Sequence, residues 1–296
     1  MEAVLAQSRL PEELIVVSDG REGVSEIEEE RMARQARAAG VEFHCRRREP
    51  PSLPASRNCG MAAATGDVLV LLDDDVVLSR EYLRRLVELY EADRAGAVAG
   101  IGSLPVKWVY RTRGGRLWTA LAAAFAVNRW APRVVSARYV RLPAGLRRRL
   151  RPARRLAGGG ISLRRPVAAA NRFEEAFTGY ALGEDTEFCY RVGRKHPLFL
   201  APELQASHEV APAGRPDMRD RGRMYLANML HIARNSVEPG VGTVMLFAYH
   251  LIGMVLLSVG SSVLTLRRAY LDFAAGLIAQ LLRSIRSGMR SMLCAS

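Results

Sequence analysis

The 296 residues carry 43 Lys and Arg against 30 Asp and Glu, a formal charge of +13, and 49 % of them are hydrophobic. That composition can bury a sizeable core. It excludes a wholly disordered or collagen-like chain, and the length suits one large domain or one domain with an appendage.

Charge is unevenly placed. Residues 1–100 hold 13 basic and 19 acidic side chains, net −6, whereas residues 101–296 hold 30 and 11, net +19. Lys107 and Lys195 are the only lysines, so arginine supplies nearly all the positive charge. Arginine is always ionised and grips phosphate through two parallel hydrogen bonds. An acidic first third suits a metal. A basic remainder suits phosphates of a nucleotide, a lipid headgroup or a nucleic acid. Cys45, Cys59, Cys189 and Cys294 show no CxxC or zinc-like spacing, which argues against a disulfide scaffold or zinc site. Acidic residues interrupt the N-terminus and no apolar run follows, so no signal peptide is expected and a reducing cytoplasm is the default.

In chain order, residues 1–9 read as the end of a helix broken by Pro11. Leu14–Val17 reads as a buried strand bounded by Ser-Asp-Gly. Ser25–Ala39 has a Ser start, strong helix formers and a Gly40 stop. Val41–Cys45 reads as a second strand, 49–56 as a loop, and Asn58–Thr65 as an Ala-rich helix ended by Gly66. Asp67–Leu72 is the strongest strand signal, its continuous apolar run predicting burial on both faces as in a parallel sheet. Ser79–Glu91 is an amphipathic helix and Gly96–Ile101 a further strand. This alternation predicts a doubly wound α/β sheet.

Arg141–Arg155 holds seven arginines and no acid. It reads either as a solvated basic loop or as a contact for phosphate or anionic lipid. Val241–Leu266 is 26 residues without a formal charge, longer than the ~20 that span a bilayer. Arg267 and Arg268 follow. Ala269–Leu282, with Asp272 inside it, reads as a second, membrane-lying helix, followed by Arg283, Arg286 and Arg290. A buried helical pair in a soluble protein would carry similar letters.

Asp73-Asp74-Asp75 follow the strongest strand. Side chains alternate in extended chain, so Asp73 and Asp75 project to one side, at the end of a sheet where α/β proteins bind ligands. Two converging carboxylates call for a cation, and oxygen donors suit Mg²⁺ or Mn²⁺. A solvated acidic turn has the same letters.

The stretch Ser56–Leu83 (SRNCGMAAATGDVLVLLDDDVVLSREYL) resembles the signature of family 2 glycosyltransferases with a GT-A-type fold: Arg-Asn-x-Gly, then Gly-Asp, an apolar strand and a DxD motif. Glu13–Gly20 (ELIVVSDG) is similar to the family's second strand, and Gly158–Val167, Arg172–Phe177 and Gly183–Lys195 are similar to its acceptor-side segments. The resemblance implies a Rossmann-like sheet carrying C-terminal apolar helices. It implies a catalytic domain over 1–210, with a donor half of about 1–102 and an acceptor half of about 103–210. A linker or amphipathic helix over 211–240 and membrane-associated helices over 241–296 complete the expected organisation.

The resemblance further implies transfer of a sugar from a nucleotide sugar to a lipid-linked or polysaccharide acceptor, with inversion. Asp19 would contact the nucleotide base, Arg57 the nucleotide, and Asp73 the ribose and metal. Asp75 would ligate the metal, with His208 as a further contact. Asp185 would be the general base, with Gly159, Gly160 and Glu184 on the acceptor side. The family's opening strand, of the kind V-x-V-I-I-P-x-Y-N, has no counterpart in these residues, so a sheet short of a central strand is expected. The expected location is the cell membrane, with the catalytic domain on the cytoplasmic side and no nucleic-acid partner. The other readings are an inactive truncated relative, a nucleotidyltransferase using paired acids, and a basic nucleic-acid binder. No aromatic-interleaved basic motif or helix-turn-helix pattern supports the last.

Overall fold

The computed structural model describes residues 1–20, 23–105, 120–125, 127, 140–156, 158–208, 216–236 and 240–293. Two compact units emerge, Met1–Trp108 with Val134–Ala211, and Val109–Arg133 with Pro212–Ser296.

The first unit is a mixed α/β fold. Helix α1 (Glu2–Leu5) precedes strand β1 (Glu13–Asp19), which pairs in parallel with β2 (Glu42–Arg48) from Glu13 opposite Glu42 to Asp19 opposite Arg48. Between them runs α2 (Glu26–Ala38), opened by a capping box in which Ser25 and Glu28 satisfy each other's backbone N–H. Gly40, at φ +75°, supplies the left-handed turn that ends the segment.

Helix α3 spans Leu53–Ala63, five residues earlier than the helix expected at Asn58. The expected loop over 49–56 therefore ends at Ser52, whose side chain caps the helix while Pro54 sits in its first turn, where a missing N–H costs nothing. At the other end the chain leaves the helix before Thr65. The N–H groups of Thr65 and Gly66 donate to Glu13 Oε1 at 2.7 and 2.8 Å.

The larger sheet has six strands, ordered β3 (Val68–Leu71), β7 (Ile161–Arg164), β5 (Gly100–Pro105), β8 (Leu198–His208) and β4 (Val76–Leu78), with β6 (Arg151–Pro152) also on β8. The apolar run of β3 does bury two faces. Leu69 enters one core cluster with Leu163 and Phe188, and Val68 and Val70 lie on another with Ile101 and Phe199. Its expected parallel pairing is corrected: its partner is β7, antiparallel. Burial on both faces follows from layers above and below, and strand direction does not. Among the described residues β1 and β3 share no ladder, so the sheet is divided between them.

Helix α4 (Tyr82–Ala92) buries Tyr82, Leu86 and Leu89 against one face. The helices Arg165–Ala170 and Glu184–Gly193 contribute Val167, Phe188 and Val192 to the other cluster. Adjacent residues Leu198 and Phe199 of β8 go to opposite clusters, as the pleat demands.

In the second unit, the helix Met218–Asn235 packs on the helix Ala269–Leu293 through Gly222 and Gly276. A Cβ at either glycine would fall within about 2.2 Å of the opposing backbone, so the two helices approach as closely as bare backbones allow. The most apolar 18 residues of the helix Val241–Thr265 have a mean hydropathy of 1.9, and 28 % of them are buried within the structure. Val244, Met245, Ile252, Leu256, Val263 and Leu264 are exposed along it. His250 is fully buried and bonded to Tyr225 Oη through Nε2 at 2.8 Å.

Candidate active site

The acidic triplet turns directly out of β3, where Val76 N–H donates to the Asp73 carbonyl at 3.2 Å. Asp74 is exposed while Asp73 and Asp75 are half-buried, but the extended chain expected here is replaced by a turn, closed by that same Val76–Asp73 bond, with Asp74 and Asp75 at its centre. Beside Asp73 passes the Gly158–Gly160 turn that opens β7. A Cβ at Gly159 would lie 2.7 Å from Val76 Cγ2 and 3.4 Å from Asp73 Oδ2, so a bare backbone is needed there. One at Gly160 would lie 3.2 Å from Ser103 Oγ.

Arg57, on α3, joins the triplet to the Glu-Asp pair. Its Nη2 is 2.7 Å from Asp73 Oδ1 and its Nη1 is 2.6 Å from Glu184 Oε1, with Arg57 only 7 % and Glu184 9 % exposed. The guanidinium lies over the Phe173 ring at 5.2 Å, and Phe173 stacks on Phe188 at 4.0 Å. Burial works against the Arg57 charge, but Asp73 and Glu184 outweigh it and raise its pKa. The Glu184 carboxyl is pushed up, first by burial and then by Asp185 beside it, with Arg57 opposing.

Asn58, the next residue, was not expected to matter beyond the motif. It clamps Phe173 in both directions, accepting from the Phe173 N–H at 2.7 Å and donating to its carbonyl at 3.0 Å, and it also donates to Glu175 at 2.8 Å. The Arg-Asn pair thus stitches α3 to the 172–177 segment, which the two letters alone do not announce.

Asp185 stands in the first turn of the helix Glu184–Gly193, entered through Gly183 at φ +99°. Its side chain is 8 % exposed. Arg155 places Nη2 at 2.9 Å and Nε at 3.1 Å from its Oδ2, while Thr186 Oγ1 donates to Oδ1 at 3.2 Å. Sequence reasoning missed Arg155 as a partner of Asp185. Its run looked acid-free because its acids come from elsewhere: Arg149 pairs with Glu203 at 2.7 Å and Arg155 with Asp185.

Two sequence-predicted residues lie apart from this group. Asp19 ends β1, in the two-stranded sheet, where its Oδ2 accepts from the Ser52 N–H at 2.6 Å and Arg48 stands 3.6 Å from its Oδ1. The backbone of His208 pairs with Val76, one residue beyond Asp75, and its side chain lies outside the described residues.

Among the described residues no cluster of three or more His, Cys, Asp or Glu forms a closed metal cage. The donor set that is present fits a more open mode. Mg²⁺ typically takes one or two carboxylates and completes its shell with water and substrate phosphates. Asp73 and Asp75 are of that number and follow β3, with Arg57 on Asp73 Oδ1.

Residues 1–141 match glycosyl transferase family 2. A glucosyl-dolichyl phosphate glucuronosyltransferase from Haloferax volcanii is 35 % identical over 115 residues, which is 38 % of this chain and 34 % of that protein. The chain therefore spans about a third of the length of this curated relative. Among solved structures, a mannosyltransferase from Pyrobaculum calidifontis in complex with GDP-Man and Mn²⁺ superposes with a TM-score of 0.55 at 15 % identity, over 96 % of this chain and 81 % of that one. Residues 1–349 of TarS from S. aureus give 0.51 at 12 % identity, over 88 % and 68 %. At these identities the likeness speaks for the fold, which is that of GT-A-type glycosyltransferases.

Proposed function

We propose that this chain, whose residues 1–141 match glycosyl transferase family 2, transfers a sugar with inversion from a nucleotide-sugar donor to a hydroxyl of a membrane-linked or cell-envelope glycan. The observation that carries the reading is the Arg57 bridge. It ties the acidic triplet after β3 to the Glu-Asp pair that opens a later helix, so donor-side and acceptor-side carboxylates stand on either side of one buried cation.

In this reading Asp73 and Asp75 hold a divalent cation, Mg²⁺ or Mn²⁺, with His208 as a further contact. When bound, such a cation neutralises charge on the departing nucleoside diphosphate. Asp19 meets the nucleotide base from the end of β1. Arg57, buried and committed to two carboxylates, sets their spacing rather than reaching the nucleotide. Asp185 accepts the proton of the acceptor hydroxyl as that oxygen attacks from the face opposite the leaving group. Gly159 and Gly160 keep the wall beside Asp73 free of side chains, and Glu184 orders the base from the neighbouring position.

Membrane attachment is supported by the exposed apolar face of Val241–Thr265 and by Arg267, Arg268, Arg283 and Arg286 around it and beyond. The acceptor class is supported by the Haloferax relative, whose name specifies a dolichyl phosphate. The proposed location is the membrane, with the catalytic unit facing the cytoplasm, where nucleotide sugars are made.

The test is a transfer assay with the whole chain in vesicles, Mg²⁺ or Mn²⁺, a panel of labelled nucleotide sugars and polyprenyl-phosphate-linked saccharides. Labelled lipid is expected, abolished by chelation and by Asp75→Ala. Turnover that survives both Asp75→Ala and Asp185→Asn defeats the mechanism. The divided ladder between β1 and β3 favours a second reading, a relative that keeps the fold without turnover. Nucleotide-sugar binding by calorimetry without transfer would point to it.

A further inference from the structure

We propose that Arg155 is a positioning residue for Asp185, orienting its carboxylate for proton transfer. The inference rests on Asp185 being the base.

The fold delivers Arg155 to this place by anchoring both of its neighbours. Two residues before it, Ala153 is buried and its N–H donates to the Leu198 carbonyl at 2.9 Å, continuing the pairing of β6 with β8. One residue after it, Leu156 is fully buried and its N–H donates to Cys189 Sγ at 3.3 Å. Cys189 lies four residues beyond Asp185 on the same helix, so the two share a face one turn apart. Docking Leu156 on Cys189 therefore leaves the adjacent Arg155 level with the helix's first turn. Its guanidinium meets Asp185 Oδ2 through two nitrogens, at 2.9 and 3.1 Å. Both nitrogens hold the one oxygen, while Thr186 Oγ1 donates to the other at 3.2 Å, so the carboxylate is gripped at each end.

The charged and titratable groups around Asp185 come from three elements. Arg155 and Arg154 come from the strap before β7, Glu184, Cys189 and Tyr190 from Asp185's own helix, and Arg57 from α3 through Glu184. Glu184 is itself matched by Arg57 at 2.6 Å. Arg155 makes a direct cationic contact with Asp185. Its raised pKa has Asp185 as first cause. The side chain is 49 % exposed, so replacing it removes the contact without emptying a core site.

The test uses the whole chain in vesicles and compares kcat with acceptor KM in each variant. Arg155→Gln is expected to lower kcat by about 10- to 100-fold at an unchanged acceptor KM, a part of what a general base is worth, because a misdirected carboxylate still lets the acceptor bind. Arg155→Lys should recover part of that loss, because a cation returns to Oδ2; it also serves if the glutamine variant misfolds. Arg147→Gln, an exposed charge in the same run, should leave kcat in place. An unchanged kcat in Arg155→Gln, an equal loss in Arg147→Gln, or a rise in acceptor KM alone would each overturn the proposal. Asp185→Asn separates the two ideas. If it keeps turnover, the base reading fails and takes this one with it; if it is inactive while Arg155→Gln turns over normally, only the positioning role fails.

Discussion

The two acidic pairs of the first unit solve one problem in two ways. Asp73 and Asp75 follow a strand into a tight turn, half-buried on either side of the exposed Asp74. Glu184 and Asp185 open a helix, where consecutive residues diverge by about 100°, so the first turns to Arg57 and the second to Arg155. The turn gathers like charges at a place that invites a cation. The helix separates them and gives each its own guanidinium. Arg57 touches one member of each pair, so the buried cation joins them.

The largest expected effect tests whether the pairs hold different jobs. Asp185→Asn should lower kcat by ~10²–10⁴-fold with donor binding intact, the range a lost general base accounts for. Asp75→Ala should instead abolish metal-dependent donor binding, measured by calorimetry. Equal loss of donor binding in both would erase the distinction.

Next comes the bridge. Arg57→Gln strands two carboxylates, one of them nearly buried, and is expected to cost about 3–5 kcal/mol, read as a fall in melting temperature. Adding Glu184→Gln should cost less than the sum of the two single changes, since the second removes a charge the first had orphaned. Simple additivity would mean the contact carries no energy.

A smaller effect is expected at Gly159. Its Cβ would press on Val76 and approach Asp73 Oδ2, so Gly159→Ala should cost about 1–3 kcal/mol and weaken donor binding more than Asp185→Asn does. Unchanged donor affinity would place the glycine outside the donor pocket.

The smallest is a slope. Glu184 is raised above its unfolded value by burial, so the folded state binds its proton more tightly than the unfolded state. Its contribution is therefore present at low pH and is lost as pH rises through the raised folded value. Glu184→Gln should flatten that part of the melting-temperature profile, and an unaltered slope would assign the pH dependence to other groups.

How much of this was legible in the letters differs from element to element. The Ser start and Gly stop of α2, the β3 run and the acids after it could be read because each rests on neighbours within a few residues. The start of α3 was misplaced because a Pro-rich stretch looks like a loop until Ser52 is seen to cap it. Strands β4, β7 and β8 passed unread. Four-residue β7 follows three glycines, and its order comes from β3 and β5 on either side.

The amino-acid sequence by itself determined the α/β class, the acids after β3 and the long uncharged C-terminal segment. Periodicity, caps and hydropathy are short-range properties that survive without a fold. Only the tertiary structure decided which arginine answers which acid. Arg57 meets Glu184 across 127 positions and Arg155 meets Asp185 across 30. Opposite charges that far apart in the chain have no preference for one another until packed strands and helices remove the alternatives.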